Sequence, residues 1–150
     1  MVALVDDEDF AALNQHKWCA TKRPDGNGFY AVRRTAVGAP LVYMHKVIMG
    51  AVHGQVVDHK DRNSLDNRRG NLRFATKGQD VANRGKRSDN TTGFKGAKYN
   101  KRRGTWRAEI GGKHIGVFPN GLAAAKAYDD AAVKRYGEFA CTNRSLGLIP

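Results

Sequence analysis

The chain is poor in cysteine, poor in acidic residues and without any long apolar run, and each shortage closes off a class of protein. Its two cysteines, Cys19 and Cys141, lie far apart and form no Cys-x-x-Cys spacing, which excludes a zinc ribbon and a disulfide framework and predicts two reduced thiols. No stretch approaches the roughly 18 consecutive apolar residues of a transmembrane helix. The opening MVALVDDEDF has no basic segment ahead of an apolar one, so no signal peptide is expected. Asp and Glu number 14 against 26 Lys and Arg, giving +12 with His neutral and a pI near 10.1. Such an excess predicts a polyanionic partner, because neutralising phosphates releases their condensed counterions. What is present suits a folded protein: 41% hydrophobic and 27% charged residues in 150 positions, enough for one domain or two small ones. There is no repeat and no low-complexity tract.

The chain reads in three parts. In the first, to about Gly54, the acidic cluster Asp6, Asp7, Glu8 and Asp9 opens a helix, DDEDFAALNQH, since carboxylates suit a helix N-terminus. KWCATKR and GFYAVRRT flank the turn residues PDGNG and predict a β-hairpin. PLVYMHKVIMG reads as a strand end running into a short helix, with His45 a structural histidine of the core. In the second part, GQVVDH is a short strand ending at His59, a polar loop runs through Gly70, NLRFAT is a second strand and KGQDVANRG a short helix with Thr76 as N-cap. The polar stretch RGKRSDNTTG then makes a linker. The third part, FKGAKYNKRRGTWRAEIGGKHIGVFP, contains three strand-like pieces separated by NKRRG and GGK. NGLAAAKAYDDAAVKRYG is a helix capped by Asn120 and ended by Gly137, with Leu122, Ala125, Tyr128, Ala132 and Tyr136 forming one apolar stripe.

The second part carries candidate chemistry. Hydrolysis of a phosphodiester needs an activated water, charge stabilisation at phosphorus and help for the leaving oxygen; a divalent metal serves the last two and a histidine takes the proton from water. Asp58 and His59 are adjacent, so on a strand they point to opposite faces, and a bend at the strand end lets one hold metal while the other addresses water. Asp80, on the following helix, is an oxygen donor suited to a hard cation. Asn71 is placed either to bond loop carbonyls or to orient the His ring and so select which nitrogen acts as base.

The stretch VDHKDRNSLDNRRGNLRFATKGQD resembles the HNH endonuclease motif of phage and homing endonucleases, directly over about 25 residues and more fully from YMHKVIMG to VANRG. The resemblance implies a ββα-metal finger, with His59 the general base, Asp58 a metal ligand, Asn71 the central Asn and one divalent ion, Mg2+ or Mn2+, per site. The last motif position, usually His or Asn, falls on Asp80, a departure that keeps an oxygen donor but adds charge; Asn83 is the substitute if the helix register differs. Arg68, Arg69 and Arg73 are then phosphate contacts.

From Arg84 to Arg107 nine basic residues stand against the single acid Asp89, interleaved with aromatics. Alternation along strands puts Trp106 opposite in sense to Arg107, so one face packs while the other offers cations to DNA. GFKGAKYNKRRGTWRAEI, HIGVF and AAAKAYDDAAVKRYGEFACTN, spanning Thr92 to Asn143, resemble the DNA-binding domain of plant ethylene-response factors, the Apetala-two type. That resemblance implies a three-stranded sheet docking into the major groove, with Lys95, Lys98, Arg102, Arg103, Trp106, Arg107 and Lys113 as contacts, Trp106 fitting packing equally well. Lys at 95 and 98, where plant members often carry Arg, cannot make the same bidentate fork to guanine, so the plant target sequence is not expected.

The expectation is an α+β chain: an HNH nuclease domain with an N-terminal β-hairpin extension at 1–85, a linker at 86–91, an Apetala-two-like domain at 92–143 and a tail at 144–150. It would nick double-stranded DNA, with no small-molecule substrate and no membrane, in a bacterial cytoplasm and in a phage or mobile-element setting. The alternative is a DNA-binding protein whose HNH part survives as a non-catalytic scaffold; an RNA-directed protein is a weaker third, for want of an RNA-reading motif.

Overall fold

The computed structural model describes residues 1–150 apart from Asp25 and Asn27, so part of the expected PDGNG turn lies outside the described residues. The chain forms two compact units, Met1–Asp80 and Val81–Pro150, each mixing short helices with antiparallel sheet. Among the described residues no helix is long and apolar enough to cross a membrane.

The first unit opens with helix α1 (Asp7–Leu13), whose first turn carries Asp7, Glu8 and Asp9 where the helix dipole favours negative charge. Strands β1 (Cys19–Lys22) and β2 (Phe29–Arg33) pair antiparallel from Cys19↔Val32 to Lys22↔Phe29, the expected hairpin. A two-residue strand β3 (Val42–Tyr43) extends it to three strands through Val32↔Tyr43 and runs straight into helix α2 (Met44–Ile48). Strand β4 (Val56–His59) pairs with β5 (Leu72–Ala75), and helix α3 (Lys77–Asn83) comes directly after. Thr76 caps α3 reciprocally: its Oγ1 accepts from the Gln79 amide at 3.2 Å while its own amide donates to Gln79 Oε1 at 2.7 Å, a capping box. Leu13, Ala31, Met44, Ile48, Val57 and Leu72 make the core, drawn from α1, both sheets and α2. Leu13 of α1 and Ala31 of the hairpin thus share one core with Val57 of β4.

The second unit is a sheet of β6 (Ala97–Asn100), β7 (Thr105–Ile110) and β8 (Lys113–Phe118) in sequence order, with helix α4 (Gly121–Tyr136) packed across all three strands. Small residues let helix and sheet approach: Ala97 and Ala108 meet Ala124. Gly96 is required, since its φ is +72° and a Cβ there would sit 1.9 Å from the Tyr128 ring. Asn120 Oδ1 accepts from the Ala123 amide at 2.8 Å, and Gly137 at φ +54° ends the helix, both as the sequence predicts. The apolar stripe differs at its start. Ala125, Tyr128 and Ala132 are buried, but Leu122 is 40% exposed and Gly121 and Ala124 face inward instead. Phe94 and Trp106 press on Gly121 where a side chain would be, which turns Leu122 outward.

A buried polar knot completes this unit. Asp129 Oδ1 accepts from the Asn143 amide at 2.7 Å and from Asn143 Nδ2 at 2.8 Å, and Asp129 Oδ2 accepts from the Arg144 amide at 2.9 Å. Asn143 Oδ1 in turn accepts from the Lys95 amide at 2.6 Å. Residues beyond 143 fold against the unit, with Ile149 buried.

Candidate active site

Two β-branched residues, Val56 and Val57, start β4, and the ladder with β5 then fixes where each side chain of the strand end points. Asp58 stands opposite Arg73 and His59 opposite Leu72, so the neighbours Asp58 and His59 occupy opposite faces of the ribbon. Val57 and Leu72 belong to the core, which puts His59 on the core side. The chain then bends: Arg62, at φ +70°, is the only non-glycine with positive φ among the described residues, and its amide bonds to the His59 carbonyl at 3.0 Å.

Asn71 locks the loop between the strands. Its Oδ1 accepts from the Asp61 amide at 3.0 Å, and its Nδ2 donates to Asp61 Oδ1 and to the Asp66 carbonyl, each at 2.8 Å. Of the two duties open to it from sequence, it performs the first. The second falls to Asn67, whose Oδ1 lies 3.1 Å from His59 Nε2. Sequence reasoning missed Asn67, because an Asn amid Asn, Asp, Ser and Arg in a loop carries no periodic signal.

His59 is only 4% exposed and Asn67 fully buried. Burial pushes the His59 imidazole below its ordinary 6.5, more than Asn67, Asp58 and Asp61 raise it, so the neutral, proton-accepting form holds at neutral pH. The ring is packed by others: His45 stands edge-on at 5.0 Å between centroids, and Tyr30 lies 6.4 Å away. Tyr30 and Tyr43 also flank His45, at 5.4 and 5.5 Å. His45 is buried, as expected of a structural residue, but it lies beside the candidate base, and its Nδ1 has no hydrogen-bond partner among the described residues. Burial, with the charges of His59, Lys46 and Arg23, pushes it down to about 3.

Asp58 is buried and pairs across the strands with Arg73, whose Nε and Nη2 both reach Oδ2 at 2.9 Å. Asp80 lies in the first turn of α3, half-buried. Among the described residues no three His, Cys, Asp or Glu side chains gather into a cage for an ion. The donor chemistry nonetheless fits a hard cation of the magnesium kind, which takes one or two carboxylates, keeps several waters and completes its shell with substrate phosphate. Asp58 and Asp80 are the residues that would hold it.

The arginines expected at phosphate are all engaged with carboxylates. Arg68 Nε donates to Asp66 Oδ1 at 2.8 Å, Arg69 forks onto Asp9 at 2.7 and 2.9 Å and also pairs with Glu8, and Arg73 holds Asp58. In the second unit, Lys95 Nζ donates to the carbonyls of Ala82, Arg84 and Cys141 at 2.6–2.9 Å, filling all three donors of the ammonium. Trp106 packs with Phe94 and Phe118 on the helix side of the sheet. Lys98 and Arg107 stand side by side on the opposite face as cross-strand partners, both more than half exposed and both paired with Glu109. Arg102 and Arg103 are exposed on the β6–β7 turn, and Lys113 opens β8.

No curated protein and no solved structure matches the chain significantly. Residues 42–82, from β3 through most of α3 and including Asp58, His59, Asn67, Asn71 and Asp80, match the HNH endonuclease family model, which supports an HNH nuclease domain over that stretch.

Proposed function

We propose that the first unit is a metal-dependent HNH endonuclease acting on double-stranded DNA, and that the second unit holds it on its substrate through the outer face of its sheet. The observation that carries this reading is His59: neutral, buried, braced by Asn67 and adjacent to Asp58 within the family-matched stretch. A divalent ion on Asp58 and Asp80 would supply positive charge for the phosphate and the leaving 3′ oxygen. His59 takes the proton from the attacking water, Asn71 holds the loop that frames it, and the aromatic and histidine wall of Tyr30, Tyr43 and His45 keeps the ring in place. The products are a 5′ phosphate and a 3′ hydroxyl, and a single site nicks. Lys98, Arg102, Arg103, Arg107 and Lys113 meet the DNA backbone and the base edges of the major groove, in an Apetala-two-like arrangement. The net charge and the resemblance to phage and homing enzymes favour a mobile-element setting in a bacterial cytoplasm.

The test is a supercoiled plasmid incubated with Mg2+ or Mn2+, comparing wild type, His59→Ala and wild type with EDTA. Nicking that disappears with both the substitution and the chelator supports the reading.

One observation favours a second reading, a scaffold that binds DNA without cutting it: Arg73 already holds Asp58, and Asp80 stands where the motif carries His or Asn. Gel shifts on plasmid and genomic DNA with no cleavage in either metal would decide for it.

A further inference from the structure

We infer that Asn67 is the positioning residue of the candidate base: it fixes His59 as the Nε2–H tautomer and leaves the Nδ1 lone pair as the proton acceptor. The inference rests on reading His59 as the base, and on the orientation of one amide. Asn67 Nδ2 faces the Leu65 carbonyl at 3.3 Å and Met44 Sδ at 3.6 Å. Both are acceptors only, so the NH2 end belongs there and the amide oxygen belongs against the ring. That oxygen cannot donate. At 3.1 Å from Nε2 it therefore requires a proton on Nε2, and a neutral imidazole then has its lone pair on Nδ1.

The brace is itself held rigidly. The Asn67 amide donates to the Leu4 carbonyl at 2.8 Å, and the preceding carbonyl, that of Asp66, accepts from Asn71 Nδ2. With no exposed surface, Asn67 has no water to exchange for His59. Rotating the ring by half a turn would set the Cε1–H against the amide oxygen in place of Nε2 and leave a buried acceptor unsatisfied, which opposes the flip. Asn67 touches neither substrate nor water in this scheme; it acts through His59.

Nitrogen-15 NMR of the His59 ring in the full-length, metal-free protein tests this directly. The expected result is a protonated Nε2 whose proton exchanges slowly with solvent, and an unprotonated Nδ1; an Nδ1–H tautomer in wild type overturns the inference. In Asn67→Leu the slow exchange at Nε2 should be lost, and kcat for plasmid nicking should fall roughly 10- to 100-fold, the usual effect of removing a residue that orients a site group, with KM within about twofold. A folded Asn67→Leu protein with wild-type kcat overturns the inference as well. Should that variant fail to fold, the wild-type spectrum alone decides. A wild type that shows the bonded Nε2–H but cleaves no DNA sinks the nuclease reading while establishing the Asn67–His59 bond; a wild type that cleaves with the opposite tautomer sinks this inference alone.

Discussion

Each unit buries a polar centre, and the two centres are built on different terms. In the second unit, Asp129, Asn143 and Lys95 close into a set of hydrogen bonds with amides and carbonyls, and Tyr128 beside them has its phenol pushed upward by burial. The polar groups named in that knot are engaged in hydrogen bonds, which tie the chain beyond α4 to the start of the sheet. In the first unit the buried polar groups include Asp58, Asn67 and two histidines in edge contact, both histidines held below their ordinary range and one of them with a ring nitrogen lacking a partner among the described residues. A fully satisfied network stabilises, whereas a network that keeps neutral imidazoles in a low-dielectric setting costs stability and holds reactive groups.

Single substitutions should divide the two centres. The largest effect belongs to His59→Ala, which should cut the nicking rate by about 10²–10⁴ if His59 is the general base proposed above, while thermal unfolding shifts little by comparison. Equal rates for the variant and wild type would erase the distinction. Asn143→Ala should do the reverse. It should lower unfolding stability by roughly 3–5 kcal/mol, because it leaves the Asp129 carboxylate and the Lys95 backbone short of buried partners, as urea titration would read.

Next in size is a pH effect from His45. Unfolded, His45 binds a proton near 6.5; folded, only near 3. The stabilisation it permits is complete above pH 6.5, declines as pH falls through that window, and is gone below about 3, a loss on the order of a few kcal/mol. Melting temperatures measured from pH 7.5 to 4.5 should fall, and His45→Gln should flatten the slope.

The smallest effects lie on the surfaces. Arg107→Ala should weaken DNA binding and reduce the dependence of log K on log salt by about one unit, the signature of one lost phosphate contact, while Lys95→Met should leave that slope unchanged because its ammonium is engaged inside the unit. Thr76→Ala should cost about 1 kcal/mol through the lost cap of α3.

Much of this was legible in the chain because the signals are local. The turn chemistry of GGK, the Asn120 and Gly137 boundaries of α4 and the T-x-x-Q cap of α3 each depend on residues within a few positions of one another. So does the alternation that separates Arg107 from Trp106, whose ring packs beside Gly121. What was not legible depends on distant partners. No spacing rule reveals that Arg69 would find Asp9, sixty residues away, or that Lys95 would meet the carbonyls of Ala82 and Cys141. The composition of the motif shows its basic residues but not the carboxylates that they meet. Asn67 was hidden for a related reason: its value lies in the direction its amide points, which a loop's composition does not encode.

The amino-terminal segment has a consequence of its own. Leu4 lies in a parallel bridge beside Asp66, bonding the Leu65 carbonyl and the Asn67 amide, while the Asp6 carboxylate takes the Arg69 amide at 2.7 Å. The first half-dozen residues thus act as a latch on the loop that carries Asn67. On the proposed reading, trimming them should loosen the hold of Asn67 on His59 without altering any group assigned to the substrate.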